Sequence, residues 1–120
     1  MSSERMRRVD EAMRQVLSDA MSQDVKDPRV GFVTVTDVKT SPDLRHARVY
    51  VSVLGDDAAR AASMDGLRSA HGFLQGRVAG ELRLKHTPTL NFIYDDTAER
   101  AARLERLIDE TAADDEQGRA

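Results

Sequence analysis

Between Ser3 and Gln23, apolar residues fall at Met6, Val9, Met13, Val16, Leu17, Ala20 and Met21. Spacings of three and four put them on one stripe of a helix. The other faces carry Arg7, Glu11, Arg14 and Ser18, with Ser2 or Ser3 as N-cap. Lys26-Asp27-Pro28 ends that helix, because proline lacks an amide donor and disfavours helical dihedrals at the residue before it. Gly31 then leads into Phe32-Val33-Thr34-Val35-Thr36-Asp37-Val38, a run rich in β-branched residues that predicts a strand. Its alternation slips: Val33 and Val35 share one face and Val38 falls on the other, which predicts a bulge near Thr36 or cover on both sides.

Ser41-Pro42-Asp43 predicts a turn, after which Ala47, Val49, Val51 and Val53 alternate with Arg48, Tyr50 and Ser52. That second strand buries one face. Asp56 or Asp57 caps a helix through Ala58, Ala61, Ala62, Met64 and Leu67 toward Ala70, and a third helical piece runs from Gly72 through Phe73, Leu74, Val78 and Leu82, ending before Pro88. Leu90 to Tyr94 reads as a final strand, and a helix from about Thr97 to Asp109 is expected to carry Ala101, Leu104, Leu107 and Ile108 inward. The segment 111–120 is acidic, small and polar, and is expected to be disordered. The order predicts an α+β domain over residues 1–110, one three-stranded sheet with helices packed on one face.

A chain of 120 residues with 40% apolar content fits one domain. Without cysteine it has neither disulfide nor thiolate chemistry, and no apolar run approaches the length of a membrane span or a signal peptide core, so a cytoplasmic protein is expected. The net charge of −3 argues at first against a nucleic-acid partner. The average conceals an asymmetry: Arg68, Arg77, Arg83 and Lys85 face only Glu81 between Gly66 and Phe92, whereas acidic residues dominate from Ile93 onward. A basic middle with an acidic end suggests a polyanion-facing surface.

Gly72, Gly76 and Gly80 form one stripe if their helix is continuous. Close packing is the expected reason for Gly76 and Gly80. Gly72 lies where two helical patterns meet, so a kink there leaves amides without intrahelical partners, a ready phosphate site. His71 has neither Cys nor a second His at ligand spacing, so no catalytic or metal site is assigned to it. Asp95 and Asp96 could ligate a divalent ion as in a hydrolase, but standing before Thr97 they read better as helix caps. Phe32, Phe73 and Phe92 occupy apolar-pattern positions, which argues against base stacking as the main grip on RNA.

The ordered islands Arg8-Val9, Lys26-Asp27-Pro28-Arg29-Val30-Gly31, Val33-Thr34-Val35-Thr36, Ser41 with Asp43-Leu44, Ala47 with Val49-Tyr50-Val51, Ala70-His71-Gly72, Pro88 with Leu90 and Phe92, and Asp95 resemble the ribosome-binding factor A family of small-subunit assembly factors. The likeness spans about Arg5 to Ile108. It implies a type II KH-like fold with an AxG kink, met by Ala70-His71-Gly72, in place of the GxxG loop. It also implies a non-enzymatic, cytoplasmic monomer without cofactor or metal. Such a protein would bind the free or immature small ribosomal subunit through its rRNA, assist late maturation of the rRNA 5′ end region, matter most in the cold, and be released with a ribosome-dependent GTPase.

On that basis the expected RNA-binding residues are Arg68, Ala70, His71, Gly72, Arg77, Arg83 and Lys85 around the kink and its exit. Lys26, Arg29, Arg45 and Arg48 form a second tier, and Arg5, Arg7, Arg8 and Arg14 of the first helix could add phosphate contacts. Arg14 could equally pair with Glu11 or Asp10. Relatives often carry Arg where this chain has Gln75 and an acidic residue where it has Thr89, so one expected phosphate contact is missing at Gln75. The alternative is a protein-interaction module whose acidic tail and apolar helix recruit a partner without RNA.

Overall fold

The computed structural model describes the backbone of residues 4–118 and the side chains of residues 4–112. In chain order it forms α1 (Glu4–Gln23), β1 (Val33–Thr40), β2 (His46–Val53), α2 (Asp57–Ser69), α3 (His71–Leu82), β3 (Thr89–Tyr94) and α4 (Thr97–Gly118). The element order is the one the periodicities predict. The proposed caps at Ser2 and Ser3 lie outside the described residues.

The three strands lie in the order β1-β2-β3, with β1 antiparallel to β2 and β2 parallel to β3. A parallel pair needs a long crossover, and α2 and α3 supply it. The register shifts between Val35 and Asp37, so Thr36 is a bulge. The extra residue returns Val38 to the core face, where it is as well buried as Val35. Thr36 is held in place, its hydroxyl lying 2.7 Å from Asp95 Oδ2 and 3.2 Å from the Tyr50 carbonyl oxygen.

One core joins Met13, Leu17 and Ala20 of α1 to Val35 and Val38, to Ala47, Val49 and Val51, to Leu67, to Leu74 and Val78, and to Leu90 and Phe92. Each large aliphatic side chain buried there contributes about 1.5–3 kcal/mol. The chain's one closely packed helical glycine among those described is Gly66, where a Cβ would lie 2.6 Å from Val30 Cγ2. This lets α2 approach the loop before β1.

Four expectations need correction. Leu104, Leu107 and Ile108 are 58%, 59% and 58% exposed, and Ala101 is exposed as well. The helices α1, α2 and α3 already close the apolar face of the sheet, and the other face is mainly polar, with Thr34, Arg48, Ser52 and Asn91 exposed and only Tyr50 and Ile93 half-buried among its described residues, so it offers α4 little apolar surface. It also runs to Gly118, past the point where disorder was expected to begin, its alanines and acidic residues being compatible with helix. Gly76 and Gly80 face open space rather than a neighbour. Finally, Phe32 is 80% and Phe73 46% exposed, leaving only Phe92 of the three in the core.

Candidate nucleic-acid interface

Ala70 is at once the C-cap of α2 and the N-cap of α3, with φ −83° and ψ 6°, off the helical path of both. Its amide donates back to the Gly66 carbonyl at 3.0 Å, and its own carbonyl accepts from Leu74 at 3.0 Å. No side-chain hydrogen bond caps the start of α3, an end at which a helix leaves its first amides without intrahelical partners. A Cβ on Gly72 would meet nothing, which leaves that backbone open to close approach.

The loop after α1 is bolted to this kink. Arg29 holds Asp27 through two side-chain hydrogen bonds, at 3.0 and 2.6 Å, and reaches Ser69 Oγ at 2.9 Å. The guanidinium and the Arg29 amide together hold the Asp27 carboxyl at about 2, well below its ordinary value. Lys26, Ser69, Ala70 and Phe73 line a shallow pocket beside it. Arg29 is therefore a structural fastener, with its charge already met.

Arg77 is similarly occupied. It bonds Asp24 and lies 3.0 Å from Glu81, both of which raise its pKa, and it sits 6.0 Å above the Phe73 ring. Both arginines were expected to meet phosphate; in the structure each closes an ion pair within the chain. Arg68 and Arg8 lie 3.8 Å from Asp65 and Glu4 in exposed pairs, which hold a side chain only weakly. Arg14 pairs with Glu11.

Lys26, Arg45, Arg48, Arg83, Lys85 and Arg7 are exposed and, among the described residues, form no ion pair. Arg83 ends α3 in the left-handed region, φ 48°. The Thr89 amide donates to the Arg45 carbonyl at 2.8 Å. That bond brings the segment carrying Arg83, Lys85 and His86 to the end of the sheet where the hairpin turn holds Arg45. His71 is half-buried at the kink.

Gln75 is part of the scaffold: its side chain bonds the backbone of Pro88 and Leu90. Asp95 accepts from the Thr97 amide at 3.0 Å and from the Thr36 and Thr97 hydroxyls, which lower its pKa, so it fastens the start of α4 to the bulge. The capping role expected of Asp95 is the one its contacts describe.

The family model described as ribosome-binding factor A matches residues 5–108. The chain belongs to that family. A ribosome-binding factor A from Halorhodospira halophila is 52% identical over 93% of this chain and 92% of its own length. One from Halothermothrix orenii is 40% identical over 99% and 98%. The solution structure of a Thermotoga maritima protein described as a putative ribosome-binding factor A superposes with a TM-score of 0.69 at 34% identity, covering 78% of this chain and 89% of that one. The crystal structure of ribosome-binding factor A from Thermus thermophilus gives 0.65 at 25% identity, covering 74% and 94%. A Thermus thermophilus homology model fitted into a cryo-electron microscopy map of a 30S complex shares the fold, with a TM-score of 0.61. These family structures accord with the type II KH-like fold, in which Ala70 to Gly72 forms the kink. Among the described residues no helix is long and apolar enough to cross a membrane.

Sequence reasoning missed the contacts of Arg29 with Ser69 and of Arg77 with Asp24 and the scaffold role of Gln75, whose partners are remote in the chain, and it passed over the local pairs Arg29–Asp27 and Arg77–Glu81. It also passed over Lys39, an outward strand residue whose neighbours depend on the register.

Proposed function

We propose that this protein docks on the free or immature small ribosomal subunit through small-subunit rRNA and assists late maturation of the rRNA 5′ end region without catalysing a reaction. The observation that carries this reading is a set of exposed cations without carboxylate partners on a chain of net charge −3. Family membership and the 30S complex of the Thermus thermophilus relative support it. The grip is on phosphates. Arg83, Lys85, Arg45, Arg48, Lys26 and Arg7 supply free charge, Arg68 and Arg8 exchange weak partners for phosphate, and the Ala70-His71-Gly72 backbone offers amides. Arg29 and Arg77 hold that backbone in shape. The protein acts as a cytoplasmic monomer, matters most in the cold, and leaves with the help of a ribosome-dependent GTPase.

Two experiments test it. Arg83→Glu/Lys85→Glu should weaken co-sedimentation with purified small subunits while leaving the circular dichroism unchanged; undiminished co-sedimentation contradicts the docking surface. Cells lacking the protein should accumulate small-subunit rRNA with an unprocessed 5′ end, more so in the cold, and normal ends would remove the maturation role. A protein-interaction module is the second reading, favoured by the bare stripe of Leu104, Leu107 and Ile108 on α4. It predicts binding indifferent to salt and abolished by Leu104→Glu/Ile108→Glu.

A further inference from the structure

We infer that an rRNA backbone also runs through an open groove at the β1 edge of the sheet, between the first turns of α1 and the β1–β2 hairpin. The inference rests on the rRNA-docking reading above and deepens it. The groove encloses about 790 Å³, with Arg5 and Arg7 on the helix wall and Lys39 and Arg48 on the sheet wall. All four are exposed and, among the described residues, none forms an ion pair. Of the carboxylates that share the groove, Glu11 is cancelled by Arg14, which leaves four cations against Asp10 and Asp37. Those two serve the backbone: Asp10 accepts from the Thr40 amide at 3.0 Å and Asp37 from the Val38 amide at 2.9 Å. The Asp10 bond pins α1 against the end of β1 and so fixes the width of the groove.

The sheet register points to an anion. Lys39 lies directly opposite Arg48 on the neighbouring strand. Like charges at that position oppose strand pairing, and among the described residues neither Lys39 nor Arg48 forms an ion pair that would offset them. A negative ligand between the walls would. Leu44, which also lines the groove, sits in the left-handed region at φ 61°. It is held there by a turn in which its amide donates to the Ser41 carbonyl at 2.9 Å, and such local strain is frequent where a surface is shaped for a ligand.

The arrangement fits a polyanion strand better than a point anion, because the cations stand on both walls. No aromatic side chain lines the groove, so the backbone of an RNA, and not its bases, is what it can grip. The groove also continues the basic end of the sheet: Lys39 and Arg48 lead to Arg45 in the hairpin turn, and from there to the segment with Arg83 and Lys85. The rRNA path thus follows the hairpin end of the domain.

The test uses the full chain with Arg5→Gln/Arg7→Gln/Lys39→Gln/Arg48→Gln, and in parallel Arg83→Gln/Lys85→Gln, in co-sedimentation with purified small subunits over a salt series. All six side chains are exposed, and a single Lys39→Gln variant serves if the quadruple one does not fold. The expected result is a log–log salt slope shallower by about one unit per cation removed from the groove. A photo-crosslinker at Pro42 should attach to rRNA. A wild-type slope for the groove variant, with a reduced slope for the Arg83/Lys85 variant, overturns the groove while leaving rRNA docking intact. Salt-indifferent binding by the wild type overturns rRNA docking itself. Attachment of the crosslinker only to ribosomal protein overturns RNA as the occupant.

Discussion

The side-chain oxygen of Gln75 accepts a hydrogen bond from the Leu90 amide at 3.1 Å, while its amide nitrogen donates to the Pro88 carbonyl. A position that suggested a lost phosphate contact is thus the clasp that seats β3. Leu90 is buried, so removing the clasp leaves its amide without a partner. Gln75→Ala should cost about 1–3 kcal/mol in chemical denaturation. Gln75→Arg should also destabilise, because arginine has no acceptor for the Leu90 amide. Unchanged stability in both variants would remove Gln75 from the scaffold.

The glycines divide by surroundings. Gly76→Ala and Gly80→Ala meet open space and should each stabilise the protein by about 0.8–1 kcal/mol, the helix-propensity difference. Gly66→Ala places a methyl against Val30 and should destabilise by about 1–3 kcal/mol before that propensity gain is counted. Denaturation midpoints should therefore move in opposite directions.

Arg83 separates stability from binding. Its φ of 48° costs a non-glycine residue roughly 1–2 kcal/mol, and a glycine after a helix relieves it. Arg83→Gly should raise the denaturation midpoint and lower affinity for small subunits. A parallel change in both would mean that Arg83 acts through the fold.

Acid should loosen the loop at the kink. The Asp27 carboxyl is held at about 2 by Arg29, below its unfolded value of about 3.9. Its contribution is therefore full above the unfolded value and is lost as pH falls from about 4 toward 2. Asp95, lowered by Thr97 and Thr36, acts in the same direction. Asp27→Asn should flatten the fall in stability between pH 5 and 2, and an identical fall would place the acid sensitivity elsewhere.

Much of the fold was legible because it is local. The slipped alternation around Thr36 announced the bulge, and Asp56 caps α2 through the Ala59 amide as its position suggested. The kink was legible to within two residues: the meeting of two periodicities, read at Gly72, falls at Ala70, and Gly72 lies inside α3. The electrostatics were not: Arg77 finds Asp24 across 53 residues, Arg29 finds Ser69 across 40, and Lys39 faces Arg48 only once the strands pair. The stripe on α4 misled in the opposite sense. An apolar periodicity says that a face exists, not that the rest of the domain has room to cover it.

The central claim is that free cations on this family member grip rRNA phosphates, and the most direct measurement is the affinity of the unaltered protein for purified small subunits as salt rises. The account predicts a linear fall of log affinity with log salt, steeper by about 0.7–0.9 for every phosphate neutralised. Affinity that stays level across the series would contradict it.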